Sequence, residues 1–391
     1  MRLATRLALR LALALAAFAG AGRARAEGAD PLSDAAILGR SPGIRVESVR
    51  VRFTQLDQSG TGYQSQAGPP QGPGSQQLVV STPQAELVVK QGRKLTYRLE
   101  VPFDIVTAAS PDAVDIVSSS SRRNEAGSID LTTTYQSAPE TAVFLRGAFH
   151  LEENFRAWTL GAGVTHAMAD DNAVLSASLN EVIDWFDGYD IHGVPQGHVW
   201  RTSSNANLGL TQLLSPTTVA HVGYGGTLQR RNLGVTWNSV PLLGGGLGPE
   251  LLPEVRHRHA LLGRIVQALP WSGTLKQSYR LYLDSWGIVG NTLETQLYQR
   301  LGRGAYVRGL YRLHHQSAAD FFTTSAVPGV EYRTADSDLD GFTAHSYGAK
   351  LVLVGRTPGV REVTFDLGFE RYHRSNDLRA SLYSCGLSLL F

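Results

Sequence analysis

The 391-residue chain holds a single cysteine, Cys385, and two methionines. A lone thiol forms no disulfide within its own chain, and it excludes zinc ribbons, CxxC redox pairs and CxxCH haem attachment. A dominant charge is missing too. Lys and Arg number 36 against 34 Asp and Glu, a formal net charge of +2. No basic block is long enough to track a phosphate backbone, so nucleic acid is not an expected partner. After residue 26 no window approaches the roughly 20 apolar residues of a transmembrane helix, and helical periodicity is nearly absent. Neither GxSxG nor HExxH occurs, which leaves no hydrolase signature and no implied cofactor.

The apolar run that does exist stands at the start. Arg2, Arg6 and Arg10 precede Leu11–Ala19, and Ala24-Arg25-Ala26 is a small-x-small cleavage pattern. Residues 1–26 read as a secretory signal cleaved after Ala26, with an apolar core shorter than a membrane anchor requires. Residues 27–42 then form a short periplasmic segment.

The rest of the chain, residues 43–391, alternates. In TLKQSYRLYLDSW, Leu275, Tyr279, Leu281 and Leu283 occupy odd positions, while Lys276, Arg280 and Asp284 occupy even ones. KLTYRLEVPFDIV, AYVRGLYRLHH and EVTFDLGFERY behave likewise. Period-2 patterning predicts strands with one oily and one charged face. A soluble sandwich also alternates, so the connections decide. Every second link is a tight turn: QGRK, SAPE, MADDN, LSPTT, PWSG, LGRG and RTPGV. Most links between them are long, notably 57–76, 107–126, 186–202, 229–255 and 317–342.

Short turns at one end, long loops at the other and about 16 strands predict an all-β fold, a transmembrane antiparallel barrel of the outer-membrane type. Only closure satisfies every backbone group of strands in lipid. The expected location is the outer membrane of a Gram-negative bacterium, with lipid and lipopolysaccharide as surroundings. Trp158, Trp271 and Tyr306, near strand ends, suit interfacial girdles. The ending LYSCGLSLLF, with terminal Phe391, resembles the C-terminal signature read by the barrel assembly machinery. Pro83 and Pro102 fall mid-strand at similar heights and predict a bulge or a break. Arg264, among apolar neighbours, leaves the register of its strand open.

A charged lumen follows from the alternation. Glu100, Asp130 and Arg146, with Arg98 nearby, form one expected inward row. Arg280, Glu294 and Arg312 form another, continued by Lys350 and Asp366; Lys276, Asp284 and Arg308 share the inward parity. Such rows read either as a salt-bridge ladder between strands or as a charged constriction selecting solutes. The loop Gln229–Val255, with PLLGGGLGPELLP, is unusually apolar and predicts a lumenal constriction, a contact with a partner or a disordered glycine-rich loop. In ADSDLDGF, Asp336, Asp338 and Asp340 resemble the start of a calcium loop, but the twelfth position is Tyr347 rather than a bidentate Glu. His345 beside that cluster, and His314 with Ser317, are the nearest approach to a rim hydrolase. A TonB-dependent transporter is not expected, since that class needs a plug before a barrel of about 22 strands.

AASPDAVDIVSSSSRRNE (108–125), YRLYLDSWG (279–287) and YRLHHQSAADFF (311–322) together resemble a family of bacterial outer-membrane proteins known as domain of unknown function 3570. The resemblance runs from about residue 40 to the C-terminus and implies a barrel without supplying a substrate or catalytic residues. The leading expectation is a passive, non-enzymatic, porin-like channel for small hydrophilic solutes. The alternative is an accessory barrel of an export or electron-transfer assembly, plugged by its own loops or joined to a periplasmic or surface protein.

Overall fold

The computed structural model describes residues 43–63, 76–108, 123–234 and 238–391. The signal sequence, the segment 27–42 and most of the 108–125 motif lie outside them.

Sixteen strands close into one antiparallel barrel. In chain order they are β1 (Ile44–Gly60), β2 (Leu78–Gln91), β3 (Leu95–Ala108), β4 (Arg123–Ala138), β5 (Thr141–Glu152), β6 (Phe155–Met168), β7 (Ala173–Tyr189), β8 (Pro195–Ser215) and β9 (Thr218–Arg231). After a small hairpin of β10 (Ser239–Pro241) and β11 (Leu247–Pro249), the wall resumes with β12 (Val255–Ala268), β13 (Gly273–Asp284), β14 (Val289–Arg300) and β15 (Ala305–Gln316). It ends with β16 (Phe342–Thr357), β17 (Val360–Arg374) and β18 (Leu378–Leu390). Closure is made by β18 on β1, from Ser48 opposite Leu390 to Gly60 opposite Leu378. No edge is left unpaired, which is what removes the cost of orphan backbone groups in an apolar solvent. At the top of this seam Gly60 has φ +108°, and an added Cβ would lie 1.8 Å from the Asp377 carbonyl oxygen. Only glycine fits that approach.

The two prolines neither break nor bulge their strands. Ser81 pairs with Ile105 and Gln84 with Pro102 in one unshifted register. The ladder simply skips the positions between, and the Thr82 hydroxyl donates to Asp104 Oδ1 at 2.6 Å across the gap. Register shifts occur instead near strand ends, at Val46/Ser48, Gln136/Ala138, Gly188/Tyr189, Leu213/Ser215 and Gly355/Thr357, most of them beside a turn where a bulge helps the chain reverse.

Two boundaries differ from the sequence expectation. β7 and β8 extend together to Tyr189 and Pro195, although 186–202 reads as a loop. Beyond the apolar band both faces of a hairpin meet water, so alternation stops while backbone pairing continues. β13 stops at Asp284, and Trp286, which the alternating pattern would keep in the strand, is 3% exposed within a loop core.

Candidate functional site

The parity of each strand is fixed by exposure. On β16, Tyr347, Leu351 and Leu353 are exposed, whereas Ala344, Ser346 and Val352 are buried. On β13, Tyr279 and Leu283 face out and Ser278 is buried. Large apolar side chains therefore clothe the exterior, an arrangement opposite to that of a soluble protein and suited to a lipid solvent. Arg98, Glu100, Asp130 and Arg146 on β3–β5 take the inward parity. So do Lys276, Arg280, Asp284, Glu294, Arg308, Arg312, Lys350 and Asp366 on β13–β17.

Much of this inward charge is paired between strands. Arg146 Nε donates to Asp130 Oδ2 at 2.8 Å, Arg312 Nε to Glu294 Oε2 at 2.7 Å, and Lys350 Nζ to Asp366 Oδ1 at 2.7 Å. Arg308 donates to Glu370 at 2.7 Å, reaching across β16. These partly exposed pairs each contribute on the order of 0.2–1 kcal/mol. Glu86, Glu100 and Asp130 stand abreast on β2, β3 and β4, flanked by Arg50, 3.4 Å from Glu86, and by Arg146.

Arg280 does not join the row expected for it. Glu294 lies opposite Ser278 and Arg312, so Arg280 falls opposite Thr292 on one side and Leu262 on the other. Counting from the turns misses this offset because closure staggers neighbouring strands. The Arg280 guanidinium lies 5.2 Å from the Tyr282 ring centroid, with no carboxylate within 4 Å among the described residues.

Asp284 has the inward parity but does not line open space. Its side chain is fully enclosed, paired with Arg256, and accepts from Tyr282 and from the backbone N–H of Trp286 and Ile288. It anchors a cap over the long-loop mouth. Residues 238–255 and 316–342 pack on one another there, through bridges of Leu242 with Ala326 and Leu251 with Arg333. One apolar cluster holds Trp286, Ile288, Ala319 and Leu339, with Tyr282 beneath it; a second holds Val240, Ala326 and Ala335. The apolar loop Gln229–Val255 thus finds its contact within its own chain. Arg374, 3% exposed on its side chain, ties the cap to β17: it donates to Asn376 Oδ1 at 2.6 Å, Asp338 Oδ1 at 2.6 Å and the Ser337 carbonyl, and stacks on Phe342.

The three loop aspartates belong to this cap. Asp336 accepts from the Asp338 N–H, Asp338 binds Arg374, and Asp340 accepts from the Gly341 N–H and Asn376. Burial, reinforced by the charge of Asp338, pushes the Asp336 carboxyl up to about 6, and burial also raises Asp340. Among the described residues no group of three or more His, Cys, Asp or Glu is arranged to hold a metal.

Beside the paired belt lies free volume. A cavity of about 610 Å³ runs along the inner wall of β6–β9 to β12 and β13. Ser176, Ser178, Asn207, Gly209, Gly223 and Gly225 supply one side of it, and Arg258, Arg280, His221 and Tyr282 another. Nearer the short turns, about 390 Å³ is lined by Lys276, Arg300, Tyr298 and Tyr306 among others. Tyr306 therefore points inward and is not a girdle residue; it shares the parity of Arg308, and its position near a strand end was a misleading cue. Trp158 and Trp271 are more than half exposed.

The histidine candidates stand apart. His345 is on the outer face, with its Nδ1 2.9 Å from the Tyr311 hydroxyl. His314 pairs with Thr292 and Gln316, while Ser317 bonds the Gly287 carbonyl and the Val289 N–H, so the two do not meet. Sequence reading missed Arg258, Arg256 and Arg374. RHRHALLGR carries the signal for the first two: once exposed Leu261 and Ile265 face out, Arg256, Arg258 and Arg264 must face in.

Solved structures resemble this barrel at low identity. The siderophore receptor PirA from Pseudomonas aeruginosa aligns with a TM-score of 0.42 and 12% identity over 83% of this chain and 56% of that one. The chain thus spans about half the length of that receptor. A bacterial polysaccharide outer membrane secretin gives a TM-score of 0.43 with 11% identity over 88% and 98% of the two chains. A BenF-like porin from Pseudomonas fluorescens Pf-5 gives 0.46 with 7% identity over 88% and 99%. No curated protein matches the chain. A family described as "Protein of unknown function (DUF3570)" matches residues 158–388, more than half of the sequence. With its closed barrel and that match, the chain belongs to the DUF3570 family.

Proposed function

We propose that the protein is a passive, non-enzymatic, porin-like conduit for small hydrophilic solutes across the outer membrane of a Gram-negative bacterium. The observation that carries this reading is the inverted polarity of a closed barrel of 16 strands, apolar outside and charged within. Barrels of this size are wide enough for an aqueous channel unless loops fill them. The ion pairs hold the wall, and the cavities beside them are the route. Single-channel recording of refolded protein in planar bilayers tests it: discrete, stable steps are expected, and silence from a correctly folded barrel refutes it.

The cap favours a second reading, an accessory barrel closed by its own loops that works with a periplasmic or surface partner. Deleting residues 239–249, the hairpin of the cap, separates the two. A conduit already conducts before the deletion; a plugged accessory barrel conducts only after it.

A further inference from the structure

We infer that the cavity against β6–β9 is an oxyanion site, and that the solute this barrel passes is a small anion bearing a carboxylate or phosphate group. The inference rests on the channel reading above and names its substrate class.

The cavity is made by what its wall lacks. Where β8 and β9 face inward they carry Gly209, Gly223 and Gly225. A Cβ at Gly209 would lie 2.8 Å from Ser176 Oγ and 3.1 Å from His221 Cε1, so the glycine lets these two polar side chains lie flat over the wall. Beside them Ser176, Ser178 and Asn207 are short, neutral hydrogen-bonding groups, and Phe144 and Leu262 add apolar surface. Facing them, β12 and β13 bring in Arg258 and Arg280. Among the described residues no carboxylate lines the cavity.

Both arginines lack an acidic partner within 4 Å among the described residues, unlike Arg146, Arg308 and Arg312. Arg258 is oriented by the Tyr282 hydroxyl, which accepts from its Nε at 2.8 Å, and by Gln229. That leaves most of its fork free. Arg280 is exposed, its guanidinium 5.2 Å from the Tyr282 ring centroid. Tyr282 itself is held by Asp284, which fixes the ring beside which both guanidiniums lie. Guanidinium forks match the planar, bidentate geometry of carboxylate and phosphate. Hydroxyls and amides opposite suit the uncharged remainder of such a solute. Below, Arg264 and Lys276 continue the same strands without a carboxylate within 4 Å among the described residues, and Lys276 opens into the second cavity, whose described lining also holds no carboxylate. Positive charge thus leads from the cap towards the short-turn end, and low-dielectric walls focus such a field on a passing anion. Glu294 on the neighbouring β14 is held by Arg312, and the carboxylates Glu86, Glu100 and Asp130 on β2–β4 lie about half-way round the barrel from the strands of the two arginines.

The test uses the full barrel in planar bilayers. Reversal potentials in a KCl gradient give the chloride-to-potassium permeability ratio, and added succinate or inorganic phosphate is scored for block of the chloride current. Expected are anion preference and block by at least one oxyanion; which of the two blocks better identifies the carboxylate or phosphate source. R258Q/R280Q is expected to bring the permeability ratio close to one and abolish block. R280K, which keeps the charge but loses the fork and folds as a minimal change, is expected to keep anion preference while weakening block roughly tenfold. A wild-type channel that conducts without anion preference, or one whose preference and block survive R258Q/R280Q, overturns the site and leaves the conduit standing. A barrel that never conducts overturns both.

Discussion

Arg374→Met isolates the cap from the barrel that carries it. The guanidinium bridges β17 to residues 337–338, and its three partners are not equivalent. Asp338 is 76% exposed on its side chain, so that ion pair contributes at most about 1 kcal/mol. The Ser337 carbonyl and Asn376 belong to buried residues. Leaving a buried acceptor without its donor costs about 1–3 kcal/mol each. Stacking on Phe342, 4.0 Å from guanidinium carbon to ring centroid, adds about 0.5–2 kcal/mol, part of which methionine restores. The net loss is about 3–5 kcal/mol, in line with breaking a buried charged network. Because the barrel ladder is untouched, the loss falls on cap opening rather than on global unfolding. Hydrogen exchange reads it directly. The amides of Ala319, Thr323 and Thr334, which donate to Leu339, Thr334 and Phe321, should exchange roughly a hundred- to several-thousand-fold faster, since about 1.4 kcal/mol is tenfold. Amides in mid-β14 should not change. Equal exchange of cap amides in wild type and variant would refute the reasoning, because the cap would then be held by its apolar clusters alone.

Three further outcomes are expected. The raised Asp336 carboxyl favours the packed cap when protonated; that contribution is full below the unfolded value, about 4, and is lost as pH rises through about 6. Cap amides should therefore exchange faster at pH 7 than at pH 5 after correction for intrinsic rates, and Asp336→Asn should shrink the difference, leaving the part due to Asp340. Leu293, exposed on the outer face at mid-β14, should cost about 2–4 kcal/mol when replaced by Arg, measured by denaturant unfolding in liposomes; Thr292→Arg, one residue away and inward, should cost much less. Cys385 shares the outward parity of Tyr383 and Leu387, so in bilayers it should react with a lipid-soluble maleimide and resist a membrane-impermeant one. Rapid labelling by the impermeant reagent would place that wall in water.

The sequence alone carried the alternation, and with it the strands, their inward charges and the closed wall. Those are local properties: a period of two puts Leu281 and Arg280 on opposite faces whatever their neighbours do. Turn chemistry at PWSG or LGRG is equally local. Tertiary structure decided everything that depends on an offset between strands. Glu294 faces Arg312 while Arg280 is left free, because the stagger of a closed barrel, not distance from a turn, sets which residues stand abreast. It also decided the cap, where residues 238–255 meet residues 316–342 across sixty positions of intervening chain. Apolar loops announce that they need a partner; only the closed wall, by bringing β9, β12, β15 and β16 to one rim, determined that the partner was another loop of the same chain.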